Sequence, residues 1–282
     1  MTIGIIVAML SELACIKDLL TDCREESNEG AIFYIGKRGN HTLILTQSGI
    51  GKVCSATRTL NMIYHYHPDC ILNTGVAGGI DISTQVFDIV TGKEIVYHDV
   101  WCGEENEPGQ IPEYPARFYS DPELLEKALS LQTSTRIYSG LICSGDQFIT
   151  NRKELDKIKA TFPNGLAVDM ESASIAHVCY MNKIPFLSFR IISDTPGIED
   201  HTTQYNRFWE EAPQKSFEII KQLIDIPKMT NYCLEMFKNL KSAFINQDAD
   251  LAYKTALIDN EIDILYYKVR EDCLKVMHEN PE

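Results

Sequence analysis

The apolar positions of this chain fall in short runs that alternate with helically spaced stretches, and the opening residues set the pattern. Residues up to Ala8 are β-branched and apolar, as in a strand buried on both faces, and Met9 to Leu20 changes to helical spacing. Strand-like runs follow at Ile32 to Lys37 and Thr42 to Ser48, the second ending in Ser48-Gly49-Ile50-Gly51-Lys52 before a predicted helix from Val53 to about Tyr66. Cys70 to Thr74 predicts a short strand that stops at Gly75-Val76-Ala77-Gly78-Gly79, a cluster whose backbone can come close to a ligand. Val86 to Tyr97 predicts a longer strand. Residues 101 to 120, with Pro108, Pro112 and Pro115 among acidic and glycine residues, predict a long irregular loop, and loops of that length in compact domains tend to carry function.

The alternation then continues. A helix is predicted near 122 to 131, a strand at Arg136 to Cys143, a turn at Ser144-Gly145-Asp146 and a helix at Arg152 to Ala160. Ala167-Val168 leads into a predicted helix from about Met170 to Met181, Phe186 to Ile192 predicts a strand ending at Ser193-Asp194, and an amphipathic helix is expected over about Thr203 to Leu223. Strands alternating with helices predict an α/β domain over residues 1 to 225. Pro227 marks its end, because proline cannot continue the preceding helix. Beyond it, Cys233, Met236, Phe237, Leu240, Ala243 and Phe244 make one helical stripe, and Ile262, Leu265, Tyr266, Val269, Cys273 and Val276 another. A helix pair is predicted over 229 to 282, joined near Asn246 to Asp250.

Composition narrows the functional classes. With 282 residues and 44% hydrophobic content, one full-sized core and a smaller unit can both be built. A formal charge of -14 argues against nucleic acid as a partner, since binding polyphosphate needs a basic face. The first twenty residues lack a basic leader region, and Glu12 interrupts the apolar run before it could span a bilayer, so a cytoplasmic protein with no membrane partner is expected. Nine cysteines, an odd number with no C-x-x-C pair, fit reduced thiols better than a disulfide framework or a zinc site; Cys143 and Cys179 are expected to be inert and buried.

Three carboxylates stand where strands end. Glu12 follows the first strand, Glu171 opens a helix after Val168, and Asp194 closes the strand from Phe186, an edge at which α/β sheets bind ligands. Each also has a plain structural explanation. Glu12 could serve the helix dipole, Asp194 could cap a helix, and Glu171 could belong to a solvated turn.

Taken in order, six segments carry more information than any one of them. Residues 1 to about 225 resemble the methylthioadenosine/S-adenosylhomocysteine nucleosidases of the nucleoside phosphorylase superfamily in Ile3-Gly-Ile-Ile-Val-Ala-Met9 with Glu12, Ser48-Gly-Ile-Gly-Lys52, Asn73-Thr-Gly-Val-Ala-Gly-Gly79, Ser144-Gly-Asp-Gln-Phe-Ile149, Val168-Asp-Met-Glu171 and Arg190-Ile-Ile-Ser-Asp194. The resemblance implies an α/β fold with a mixed central β-sheet flanked by helices, followed here by a C-terminal α-helical hairpin. It implies a homodimer that hydrolyses a 5'-modified adenosine, with no cofactor and no metal. Loss of a purine makes the ribose oxocarbenium-like, so the site needs a base for water, an acid for the leaving purine and a grip on the sugar hydroxyls. By the resemblance, Glu12 is the base, Arg190 holds the water site, and Asp194, positioned by Ser193, donates to N7 of adenine. Glu171 takes the ribose hydroxyl protons, Met170 packs on the sugar, and Phe148 and Ile149 shape the adenine slot. Ala8, Met9, Ile50 and Gly78 line the remaining wall, and Tyr205 or Phe208 closes it. Burial is expected to keep Asp194 protonated, and Arg190 to keep Glu12 ionised.

Two departures from the resembled pattern concern Val76, where serine is common, and the loop from Asp99 to Gln110, which lacks an aromatic pair but offers Trp101. Two other functions compete. A phosphate-dependent phosphorylase would need arginines aimed at the anion, but the early glycine-rich segments bring only Lys52 and Arg58, and Glu12 would repel phosphate. A nucleoside sensor without catalysis is the other, and the retained Glu12, Asp194 and Glu171 speak against it. Residues 229 to 282 resemble a helix pair of the phosphate-uptake regulator PhoU, in Ala243 to Ala252 and Asp259 to Tyr266. Asp259 and Asp263 lie one helical turn apart there, and as exposed carboxylates they are expected to be solvated rather than to hold metal.

Overall fold

β1 (Thr2–Val7) is buried from Ile3 onward, so it needs partners on both edges. It pairs in parallel with β4 (His41–Gln47) on one side and with β5 (Cys70–Gly79) on the other. Beyond β4, β3 (Ala31–Arg38) and β2 (Thr21–Asn28) extend the sheet in antiparallel fashion. Beyond β5 the sheet closes on itself. β5 pairs with β10 (Phe186–Asp194), β10 with β6 (Ile89–Tyr97), β6 with β8 (Ile137–Ser144), β8 with β9 (Gly165–Asp169), and β9 returns to β5 through Gly78 and Gly79. A two-residue β7 (Phe118–Tyr119) joins β6. The sheet is therefore mixed, as expected, and its five-stranded ring leaves no free edge at that end.

In this computed structural model the described residues are 1–131 and 135–195, with Phe208 and, further on, residues 239, 242, 245, 246 and 249–257. The chain divides into two units, Met1–Ser130 with Thr135–Ile220, and Leu131–Ser134 with Lys221–Glu282. Five helices of the first unit are described: α1 (Leu10–Lys17), α2 (Lys52–Tyr66), α3 (Pro122–Leu129), α4 (Arg152–Thr161) and α5 (Ser172–Asn182). Their starts have local causes. Asp121 caps α3 by accepting from the N–H groups of Glu123 and Leu124, with Pro122 in the first turn, and Asn151 caps α4 through Glu154 N–H. α2 and α5 are linked by a 2.6 Å hydrogen bond between the Ser55 and Ser174 hydroxyls. The main core gathers Phe33, Ile44, Met62, Ile71, Ile142 and Phe186, and a second cluster packs Leu155, Ile158 and Phe162 against Leu141, Cys143 and Val168.

Three expectations change. β2 was not foreseen, because Thr21 to Asn28 is almost wholly polar and exposed; it is an edge strand, held by backbone pairing to β3, and its charges guard the edge. β5 does not stop at Gly75 but runs to Gly79. Glycine suits that stretch because a Cβ on Gly75 would stand 2.6 Å from the Glu12 carboxylate and 2.5 Å from the Arg190 guanidinium. In the second unit, the predicted join near Asn246 to Asp250 falls on helix: Asn246 and residues 249–257 are helical, with Thr255 buried and its hydroxyl donating to the Leu251 carbonyl. Polar residues alone do not end a helix where neither glycine nor proline intervenes. The helix expected over 203 to 223, apart from helical Phe208, and the second C-terminal stripe lie outside the described residues. No helix among the described residues is long and apolar enough to cross a membrane.

Phe33 is fully buried, with its ring centroid 4.8 Å from that of Tyr66. Phe33→Ala is expected to destabilise the protein by about 3–5 kcal/mol, read as a lower midpoint in urea unfolding. An unchanged midpoint would contradict this account of the core.

Candidate active site

Glu12 sits in the first turn of α1, and backbone amides from two elements hold its carboxylate. Oε2 accepts from Ala8 N–H at 3.0 Å and Met9 N–H at 2.9 Å, and Oε1 accepts from Val76 N–H on β5 at 3.1 Å. The side chain is 8% exposed. Burial raises its pKa, and the nearby Arg190 charge and the three amides only partly oppose this. Arg190 favours the ionised carboxylate, as expected, but desolvation is the larger effect and the net shift is upward, not downward.

Arg190, in the middle of apolar β10, is 1% exposed. A buried guanidinium has to be paired. It forms an ion pair with Asp169 at the end of β9, donates from Nη2 to Asn73 Oδ1 at 2.7 Å, reaches Ser172 Oγ from Nε and Nη2 at 3.2 Å, and approaches Glu171 Oε2 at 3.6 Å. Asp169 Oδ2 also accepts from the Ser172 hydroxyl at 2.5 Å and from Ser172 N–H at 3.1 Å. Glu171 occupies the N-cap position of α5, and its Oε1 accepts from Gly51 N–H at 3.0 Å. Gly51 has φ +91, and a Cβ there would stand 2.8 Å from the Asp146 carboxylate, so glycine is needed at this amide. Burial pushes the Glu171 carboxyl up to about 7; Arg190 lowers it, and the Asp169 charge raises it.

Asp194 is the last residue of β10, 3% exposed, and its Oδ1 accepts from the Ser193 hydroxyl at 2.6 Å. Glu12, Glu171, Arg190, Ser193 and Asp194 all line one cavity that is partly open to solvent. Ala8, Met9, Ile50, Gly78, Phe148, Ile149 and Met170 complete the wall named from the sequence, and Val76 faces it as well. Phe148 is exposed at the mouth, whereas Ile149 is buried.

Other residues lie elsewhere. Phe208 is absent from the lining: it is buried with its ring stacked on Phe87, centroids 5.3 Å apart. Tyr205 lies outside the described residues. Trp101 is 62% exposed and does not reach the cavity. Asp99 binds Lys52 Nζ at 2.7 Å and Asp146 N–H at 2.9 Å. Cys143 and Cys179 are buried and burial raises both thiols, Cys143 to about 12, so neither is a nucleophile near neutral pH. Among the described residues no group of three or more His, Cys, Asp or Glu side chains could hold a metal ion. The network of Asp169, Asn73 and Ser172 was not singled out from the sequence. An arginine inside an apolar strand was the available signal, because it demands a buried acceptor from some other element.

The sequence profile of the phosphorylase superfamily matches residues 2–225, and the chain belongs to that superfamily. The PhoU domain profile matches residues 226–282. Among relatives of known name, the 5'-methylthioadenosine/S-adenosylhomocysteine nucleosidase of Tolumonas auensis is 39% identical over 230 residues, covering 79% of this chain and 99% of its own, and that of Haemophilus influenzae is 38% identical, covering 80% and 99%. A solved nucleosidase of the same name from Colwellia psychrerythraea, in complex with adenine, superposes with a TM-score of 0.75 at 36% identity over 79% of this chain and 94% of that one. The Neisseria meningitidis nucleosidase, in complex with methylthio-immucillin-A, gives 0.75 at 32% identity over 79% and 98%.

The raised Glu171 carboxyl makes a prediction about stability. A carboxyl near 7 when folded and 4.5 when unfolded contributes stability that is fully present below about 4.5 and is lost as pH rises through about 7. Glu171→Gln cannot titrate, so its melting temperature relative to wild type is expected to rise between pH 5 and pH 8. A difference that stays flat across this range would contradict the assignment.

Proposed function

We infer that residues 1–225 form an N-ribosyl hydrolase that cuts the glycosidic bond of 5'-modified adenosines and releases adenine. Methylthioadenosine and S-adenosylhomocysteine are the first substrates, and 5'-deoxyadenosine is a further candidate. The observation that carries this is the meeting of Glu12, Glu171 and Asp194, from three separate elements, on one cavity. The nucleosidase relatives support it.

In the reaction proposed, Glu12 takes a proton from water while the water oxygen bonds to C1' of the ribose. The C1'–N9 bond breaks, its electron pair passes into the purine, and Asp194 gives a proton to N7, so neutral adenine leaves. Glu12 suits the base because a raised carboxyl pKa makes it a stronger proton acceptor, while three amides fix its direction. Ser193 orients the Asp194 carboxyl. Glu171 accepts from the ribose hydroxyls, Met170 packs on the sugar, and Phe148 and Ile149 border the base. Val76 contributes its backbone N–H to Glu12, a contact that does not depend on which side chain the position carries.

Charge favours water over phosphate as the nucleophile. Arg190 is the cation of the lining, and it is already paired with Asp169 and close to Glu171. Lys52 is held by Asp99, and the Arg58 guanidinium lies 5.9 Å over the Phe33 ring. Among the described residues of the lining, an incoming anion would meet Glu12 and Glu171 with Arg190 already engaged by Asp169. We place the enzyme in the cytoplasm as a homodimer working in methionine salvage, with residues 229–282 as a helical PhoU-like appendage that aids dimerisation or regulation. The dimer rests on the family resemblance, and the role of the appendage on its two apolar stripes, which call for a partner surface.

Adenine release from methylthioadenosine is expected to proceed at full rate in phosphate-free buffer; strict dependence on phosphate would overturn the hydrolase assignment. Asp194→Asn and Glu12→Gln are each expected to lower kcat by about 10²–10⁴-fold while nucleoside binding, followed by calorimetry, is retained. Full turnover in Asp194→Asn would remove the proposed acid.

A further inference from the structure

Asp169 is a buried carboxylate in the cavity lining for which the proposed reaction has no use. Its side chain is 1% exposed, and all its hydrogen bonds run through one oxygen: Oδ2 takes the Arg190 ion pair, the Ser172 hydroxyl and Ser172 N–H. Oδ1 is buried without a hydrogen-bond partner. A half-satisfied buried charge is costly, and such groups persist where they serve a purpose. Arg190 is therefore shared. One edge of the guanidinium faces Asp169, Asn73 and Ser172, and Nη1 and Glu12 Oε1 converge on the space left open by Gly75.

We propose that Asp169 is a positioning residue: by gripping one edge of Arg190, it fixes how that single cation is divided between Glu12, which activates water, and Glu171, which binds the sugar. The proposal rests on the hydrolase assignment. The charged and titratable groups that act on Asp169 are Arg190 from β10, Glu171 from the cap of α5, His98 just after β6 and Cys143 from β8, and Glu12 from α1 and Asp194 from β10 line the same cavity. Of these, Arg190 is the attractive partner in contact. The Asp169 charge also works against ionisation of Glu171. Without it, Arg190 would turn its full charge on Glu171 and Glu12, and both carboxylates would titrate at lower pH. Glu12 would then be the weaker base.

The test is the pH profile of kcat/KM for adenine release in Asp169→Asn and Asp169→Glu, beside wild type. Asp169→Asn is expected to move the acid limb down by about 0.5–1 pH unit and to lower kcat by about 10- to 100-fold. Asp169→Glu, which keeps the charge on a longer arm, is expected to leave the limb in place while lowering kcat. An Asp169→Asn limb at the wild-type pH would make the residue merely structural and overturn the proposal. Should Asp169→Asn not fold, Asp169→Glu decides: a wild-type limb with reduced kcat supports positioning, and unchanged kcat and KM overturn it. If wild type itself releases no adenine, the hydrolase assignment fails. The charge-sharing is then judged by melting temperature against pH, where Asp169→Asn should bring the loss of stability near pH 7 to lower pH, and an unmoved curve overturns it.

Discussion

A guanidinium buried in the middle of an apolar strand imposes conditions on everything near it. Removing Arg190 from water costs several kcal/mol, which only close and well-directed acceptors can offset. Those acceptors come from β9 through Asp169, from β5 through Asn73 and from the start of α5 through Ser172 and Glu171. None is adjacent to Arg190 in the chain. They meet because β10 lies beside β5 and the ring of strands closes through β9, so the closure of the sheet and the neutralisation of the cation require each other. The site is built on this pairing, and Glu12 and Glu171 sit around a charge that is already partly spent.

The carboxylates are aimed mainly by backbone. Glu12 accepts three main-chain amides and Glu171 one, and main-chain donors on strands and helix starts move less than side-chain donors. Such approach needs room. Gly75 and Gly51 supply it where any Cβ would strike Glu12 and Arg190, or Asp146. Position 76 can then carry valine without loss of the contact to Glu12, since the amide and not the side chain makes it.

The same arrangement explains the direction in which the acids titrate. Low exposure disfavours the ionised forms of Glu12 and Glu171, and the one cation nearby is divided among three carboxylates. Two raised carboxyls beside a paired arginine make a cavity poor in positive potential. Neutral nucleoside and water suit it better than an inorganic anion.

Much of this was legible along the chain. Periodicity marked seven of the ten described strands; it missed β2, whose polar residues hold to the sheet through backbone pairing with β3, the two-residue β7, which falls in the stretch read as a loop, and β9, where Ala167-Val168 was read only as a lead into a helix. The order of motifs named Glu12, Glu171, Arg190, Ser193 and Asp194 before any geometry was known, because strand ends and glycine clusters leave local signatures. Local signatures carry no distances, and so three things were decided only in the folded chain. The sheet closes through Gly78 and Gly79, which made a loop in the sequence pattern into strand. Asp169 takes Arg190, a pairing between residues twenty-one positions apart that no spacing rule selects. Burial outweighs that arginine at Glu12, since desolvation depends on every atom packed around the carboxyl and sequence proximity records almost none of them.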